Sequence, residues 1–210
     1  MAIVQRATLT PSKMELLRQW LPNQSWYTGK TGNDPVRVGS FRFDDPDGEV
    51  GVETLLVADG GGVFHVPLTY RDSRLHGADP YLIGTLEHSM LGTRWIYDAA
   101  CDPVYASALA TIILNGQPQA TQSFEIDGRL EVIPESVQLQ SEKLPGCTAS
   151  AVHSAVPAIV DGLTTIRSGN LELSVVRALN LVETPSGEGI LTATWEGQIK
   201  PVRLASVVQV

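Results

Sequence analysis

An α+β protein with antiparallel, curved sheets, two main helices and a second half that is nearly all β is the fold class this sequence predicts. Three observations lead there. Helix start and stop signals stand out in two segments, Thr10–Pro22 and Asp102–Gly116. Runs of β-branched and aromatic residues fill much of the remainder, joined by Asp/Gly turns too short for a parallel crossover of a dozen or more residues. From Ser123 onward no helical period survives.

Taken in order, the first helix has Thr10 as N-cap and Pro11 at its first position. Leu16, Leu17, Trp20 and Leu21 make one apolar stripe, which should lie on a sheet, and Pro22 stops the helix. After the loop Asn23–Pro35 come three strands, Val36–Phe43, Glu49–Ala58 and Val63–Arg71. Asp45-Pro46-Asp47-Gly48 and Asp59-Gly60-Gly61-Gly62 turn them into hairpins, and a change of phase between Val38 and Phe41 predicts a bulge near Gly39-Ser40. Gly84–Met90 reads as a loop or edge segment. The second helix has Asp102 as N-cap, Pro103 at its first position, Ala108, Leu109, Ile112 and Ile113 inward, and Gly116 as its stop.

Short strands follow at Phe124–Ile126, Leu130–Ile133, Ser136–Gln140, Ala158–Val160, Thr164–Ser168, Leu171–Arg177, Gly189–Trp195 and Lys200–Val208. Asp127-Gly128 and Ser168-Gly169-Asn170 are hairpin turns, and Glu142–Pro157 is a surface loop. The chain is expected to divide into an α+β domain, residues 1–117, and a β-rich domain, residues 118–210.

Composition excludes several roles. A formal charge of −8 with a pI near 4.9 and no basic patch excludes nucleic acid as a partner. With 43% hydrophobic and 18% charged residues the chain can build a core. Residues 1–9 are too polar for a signal peptide, and no apolar run reaches membrane-spanning length, so a cytoplasmic protein with no membrane partner is expected. Cys101 and Cys147 are far apart and expected to be reduced.

His65, His76, His88 and His153 form no HxH or HxxxH pair, so no metal or other cofactor is expected, and His65 reads as a half-buried strand residue. Asp44, Asp45, Asp47 and Glu49 lack calcium-loop spacing and read as a solvated turn. Gly60-Gly61-Gly62 has no Lys-Ser/Thr after it, and there is no GxSxG, Cys-His or Ser-Lys nucleophile motif, so no catalytic residue is assigned. The binding-surface candidates are Trp26, Tyr27 and Lys30, an aromatic pair beside a cation, and His88, Arg94, Trp95, Tyr97 and Asp98, which offer stacking and hydrogen bonding. For Trp26 the competing role is to staple the first helix onto the sheet.

Three stretches resemble the N-terminal cap of bacterial maltokinases. They are Trp26-Tyr27-Thr28-Gly29-Lys30, the paired runs Glu53–Val57 and Val63–Leu68, and Tyr97-Asp98-Ala99 through Asp102-Pro103 and the helix to Leu114. The hairpin Thr164–Arg177 resembles a kinase N-lobe hairpin in which Ser174 stands at the phosphate-pairing lysine position. Nothing in this sequence is similar to the C-lobe with its catalytic and metal-binding aspartates. The resemblance therefore implies a cap with a degenerate N-lobe-like region, not an enzyme, linked to trehalose or α-glucan metabolism. Its role would be to bind a protein partner. A sugar or sugar-phosphate binder and a residual enzyme of another class stay open as alternatives, and the oligomeric state is not readable.

Overall fold

The computed structural model describes residues 2–3, 7–29, 34–126, 129–148, 152, 155–160 and 162–210. Its first part contains β1 (Ala2–Ile3), β2 (Leu9–Thr10), α1 (Lys13–Trp20), β3 (Val36–Phe43), β4 (Gly51–Asp59) and β5 (Gly62–Arg71). Then come β6 (Leu82–His88), β7 (Gly92–Asp98), α2 (Pro103–Asn115), β8 (Gln122–Ile126) and β9 (Arg129–Val132). The last part holds β10 (Val137–Glu142), β11 (Val156–Val160), β12 (Leu163–Ser168), β13 (Leu171–Val176), β14 (Ile190–Trp195) and β15 (Gln198–Gln209).

Two antiparallel six-stranded sheets result, ordered β2-β6-β7-β5-β4-β3 and β10-β14-β15-β13-β12-β11, with a small third sheet β1-β8-β9. The α+β, mostly β class is as the sequence indicates. Alternation along β4 and β5 gives the first sheet two apolar faces. Leu55, Val57, Phe64, Val66 and Leu68 on one face are covered by Leu16, Leu17 and Leu21 of the first helical segment and by Trp26. On the other face Phe41, Phe43, Val52 and Leu56 meet α2 and the inner residues Val137, Ile166, Leu173, Val175, Leu191 and Val202 of the second sheet. The core is therefore continuous across residue 117. Lying between two sheets, α2 buries Tyr105, Ala106, Leu109, Ala110, Ile112, Ile113 and Leu114, more of its circumference than one stripe. Ala108, expected inward, is half-buried.

The backbone also joins the two parts. Along one edge β5 pairs with β4 throughout, but along the other it pairs with β7 only over Leu68–Arg71. Beyond that point the stretch after β13 takes over. His65 N–H donates to the Arg177 carbonyl at 2.8 Å, and Leu179 N–H donates to the Val63 carbonyl at 2.9 Å. Two strand-like segments thus share one edge of β5, end to end.

Several local expectations change. The N-cap of α1 is Ser12, in a reciprocal capping box with Glu15, while Thr10 is engaged in β2 opposite Glu87. Pro22 does not end the helical path; it sits in a 3-10 turn, Leu21–Asn23. Gly84–Met90, read as a loop or edge segment, lies mostly in strand β6, which carries β2 on its outer side. Gly84 weakens the strand signal, and the Leu16 side chain of α1 packs directly over it, its Cδ2 2.8 Å from where a Cβ would stand. The bulge in β3 is present between Arg37 and Gly39. Asp102 and Gly116 cap α2. The segment Thr164–Arg177 is an antiparallel hairpin in which Ser174 is half-buried opposite Thr165 and Ser206. The Asp127-Gly128 turn, Lys30 and His153 lie outside the described residues.

Candidate functional site

At the point where β7 gives way to Arg177-Ala178-Leu179 along β5, three of the polar side chains meet in the interior. Residues 171, 173 and 175 of β13 point inward, and Arg177 continues that parity, so its guanidinium enters the core with 0% exposure. Its Nη2 donates to Asp98 Oδ1 at 2.7 Å and Oδ2 at 2.8 Å, and its Nε donates to Thr164 Oγ1 at 2.8 Å. The guanidinium also lies over the Trp26 ring, 5.2 Å from its centroid. Asp98 additionally accepts from the Ala100 N–H at 3.2 Å. Neighbouring His65 donates from Nδ1 to the Val176 carbonyl at 3.1 Å, and burial together with the Arg177 charge lowers it to about 3, so the ring is neutral. Arg177 Nη1 and the Tyr105 hydroxyl are buried without a hydrogen-bond partner among the described residues. Burial pushes the Tyr105 hydroxyl well up, against the pull of Arg177.

The candidate binding residues fall in different environments. Trp26, Tyr97 and Asp98 are buried, because each packs against or bonds to another layer. Trp26 takes the stapling position between α1, Phe64 and Arg177. The Tyr97 hydroxyl accepts from Leu75 N–H at 3.0 Å, and Trp95 is half-buried beneath the Arg74 guanidinium at 4.5 Å. His88 closes the β6–β7 turn, its Nδ1 accepting from Met90 N–H at 3.2 Å and Leu91 N–H at 3.1 Å, and Arg94 is half-buried on β7. These residues serve several structural tasks: among the described ones Trp26 and Tyr27 touch edge to face, and Trp26 and Asp98 meet through Arg177.

A second constellation was not anticipated. Glu53, on the same inward parity as Leu55 and Val57, is buried; it pairs with Lys13 and Arg42 and accepts from the Tyr70 hydroxyl at 2.7 Å. Burial alone would raise its carboxyl, but the Lys13 and Arg42 charges prevail and hold it at about 2. A charge at an inward position, Glu53 on β4 and Arg177 just past the end of β13, was the legible signal for both.

The Trp26–Lys30 motif reaches the surface at another place. The Tyr27 hydroxyl bonds to Asp59 Oδ2, and a side chain on Gly29 would run into both the Tyr27 ring and the Asp59 carboxylate. Asp59 lines a concavity of about 490 Å³ with Asp34, Val36, Ala58, Gly60, Gly61, Gly62 and Val63. Another, about 480 Å³, lies between β3, β10 and β14 and is lined by Val38, Gln138, Thr194, Trp195 and Glu196 among others. Among the described residues no group of three His, Cys, Asp or Glu could hold a metal, and no helix is long and apolar enough to cross a membrane.

The architecture is that of a mostly antiparallel module whose buried polar chemistry joins its layers. Residues 20–102, from the end of α1 through β7 to the N-cap of α2, match the family model described as the maltokinase N-terminal cap domain. That segment of the chain is accordingly maltokinase cap-like, and the family it matches is a cap domain and not a catalytic one. No curated protein matches the chain.

Proposed function

We propose that the chain is a non-catalytic interaction module of the cytoplasm that binds a protein partner, with residues 1–117 as the cap-like part and residues 118–210 as a degenerate N-lobe-like part. The observation that carries this reading is the use made of the charged groups. Asp98, Arg177, Asp102, Arg71, Glu53 and Lys13, the side chains best suited to acid–base or phosphate chemistry, are committed to one another across layers. The match of residues 20–102 to a cap domain supports the cap-like part of this reading, and a link to trehalose or α-glucan metabolism belongs to the proposal. Ser174, in the hairpin compared with a kinase N-lobe, offers no charge for a nucleotide phosphate.

Two measurements test it together. ATP, Mg²⁺ and maltose incubated with the chain should give no sugar phosphate above buffer, and crosslinking followed by gel filtration should give a complex of fixed stoichiometry with one partner. Turnover with maltose, or a chain that stays monomeric and uncrosslinked, contradicts the proposal. The second reading, a sugar-binding protein, is favoured by the concavity that places Gln138, Thr194 and Glu196 beside Trp195. In a thermal-shift panel of maltose, trehalose and glucose phosphates it requires a clear rise in Tm, since ligand at 100 Kd adds about 2.7 kcal/mol.

A further inference from the structure

The structure assigns the concavity at the β4–β5 turn as a docking site for one basic side chain, arginine or lysine, of a protein partner; this rests on the interaction-module reading above. Asp59 carries the argument. Only 5% exposed, it lines the concavity and binds the Tyr27 hydroxyl through Oδ2, while its buried Oδ1 has no hydrogen-bond partner among the described residues. A desolvated carboxylate oxygen without a donor costs free energy, and a cationic donor is the group that recovers most of it. Asp34, paired with Arg18 at 2.9 Å, adds a second carboxylate to the rim.

The remaining wall is apolar and small. Val36, 60% exposed, stands with Ala58 and Val63 beside the glycine turn, which suits an aliphatic stem below a charged head. A divalent metal fits less well, because calcium takes six to eight oxygen ligands and magnesium needs near-ideal octahedral geometry, whereas among the described residues two carboxylates line this site. A chain of formal charge −8 also draws a basic partner toward it. The turn residues Gly60 and Gly61 have φ of 61° and 100°, and among the described residues a Cβ on Gly61 would meet nothing within 4 Å, so none of them closes the approach on that side.

The test titrates the ¹⁵N-labelled full chain with butylguanidinium, with its neutral isostere butylurea, and with calcium chloride, following the amides of Gly60, Gly61, Gly62 and Val63. Butylguanidinium should shift these amides saturably and butylurea should not, with binding weaker at high salt. Asp59→Asn should weaken binding at least tenfold. Val36→Lys should do the same by supplying a cation from within, and because Val36 is exposed this variant keeps the fold. No saturable shift, an equal response to butylurea, unchanged binding in both variants, or a stronger response to calcium overturns the assignment. No partner protein is involved in the titration. A chain that forms a stable complex but ignores butylguanidinium therefore keeps the module reading and loses this site.

Discussion

Replacing Arg177 by Met removes the charge while keeping most of the stem volume, and so isolates the ion pair that joins the cap-like sheet to the second sheet. The variant loses two bonds to Asp98 and one to Thr164, and leaves the Asp98 carboxylate buried with the Ala100 N–H as its remaining donor. Breaking a buried pair in this way costs about 3–5 kcal/mol, most of it the uncompensated charge. For a chain of this length each kcal/mol lowers Tm by roughly 2–4 °C, so Tm should fall by roughly 6–20 °C. Urea unfolding followed by tryptophan fluorescence reads the change directly, since Trp26 lies against the guanidinium. The double variant R177M/D98N should recover at least about 1 kcal/mol, because neither charge is then stranded. Arg167→Met is the control. Its pair with Glu172 is exposed on the arginine side, and it should cost less than about 1 kcal/mol. If R177M costs no more than R167M, the Arg177–Asp98 contact does not hold the layers together.

Three further outcomes follow from the same structure. The Glu53 carboxyl is held at about 2, below the ordinary value near 4.3, so its stabilisation is complete above that value and is lost as pH falls from about 4.3 to 2. It amounts to about 3 kcal/mol, and Glu53→Gln should flatten the acid limb of stability against pH; an unchanged limb would show that other carboxylates control it. Asp102→Ala removes the N-cap bond to Val104 and strands Arg71, which donates to both carboxylate oxygens at 2.8 Å, and should cost about 3 kcal/mol by denaturant titration. A loss below about 1 kcal/mol would mean that Arg71 is solvated at little cost. Burial, then Asp98 and Asp102, push the Cys101 thiol up to about 12. In the native protein a thiol reagent should therefore label half-buried Cys147 before Cys101, and equal rates would contradict the packing around α2.

Much of the fold was legible because its signals are local. The boundaries of β3, the bulge at Gly39 and the caps of α2 follow from alternation, a phase change and an Asp-Pro…Gly pattern, each contained within one element. Strand β6 was obscured because Gly84 weakens its pattern, and the Leu16 side chain that packs over Gly84 comes from a helix far away in sequence, which no local window records. The same reasoning explains the site. Trp26, Tyr97 and Asp98 look like recognition residues in isolation, and what buries them is contributed by α1, by Leu75 and by Arg177. Arg177 lies 79 positions from Asp98, so the pair could be inferred only as two inward charges, one at the end of β7 and one just past β13. Ser12 and Glu15, by contrast, form a legible capping box, with which the Thr10-Pro11 pair competes as a helix-start signal two residues earlier.

The central claim is that the cap-like sheet is completed by the chain's second part, with Arg177-Ala178-Leu179 continuing the edge of β5. Native-state hydrogen exchange of the full chain measures this most directly, at the amides of His65 and Leu179, which donate across that seam. The two amides should share one opening free energy, and R177M should lower both by the same amount. If Leu179 stays protected while His65 exchanges independently, the seam is not a structural unit and the two parts stand on their own.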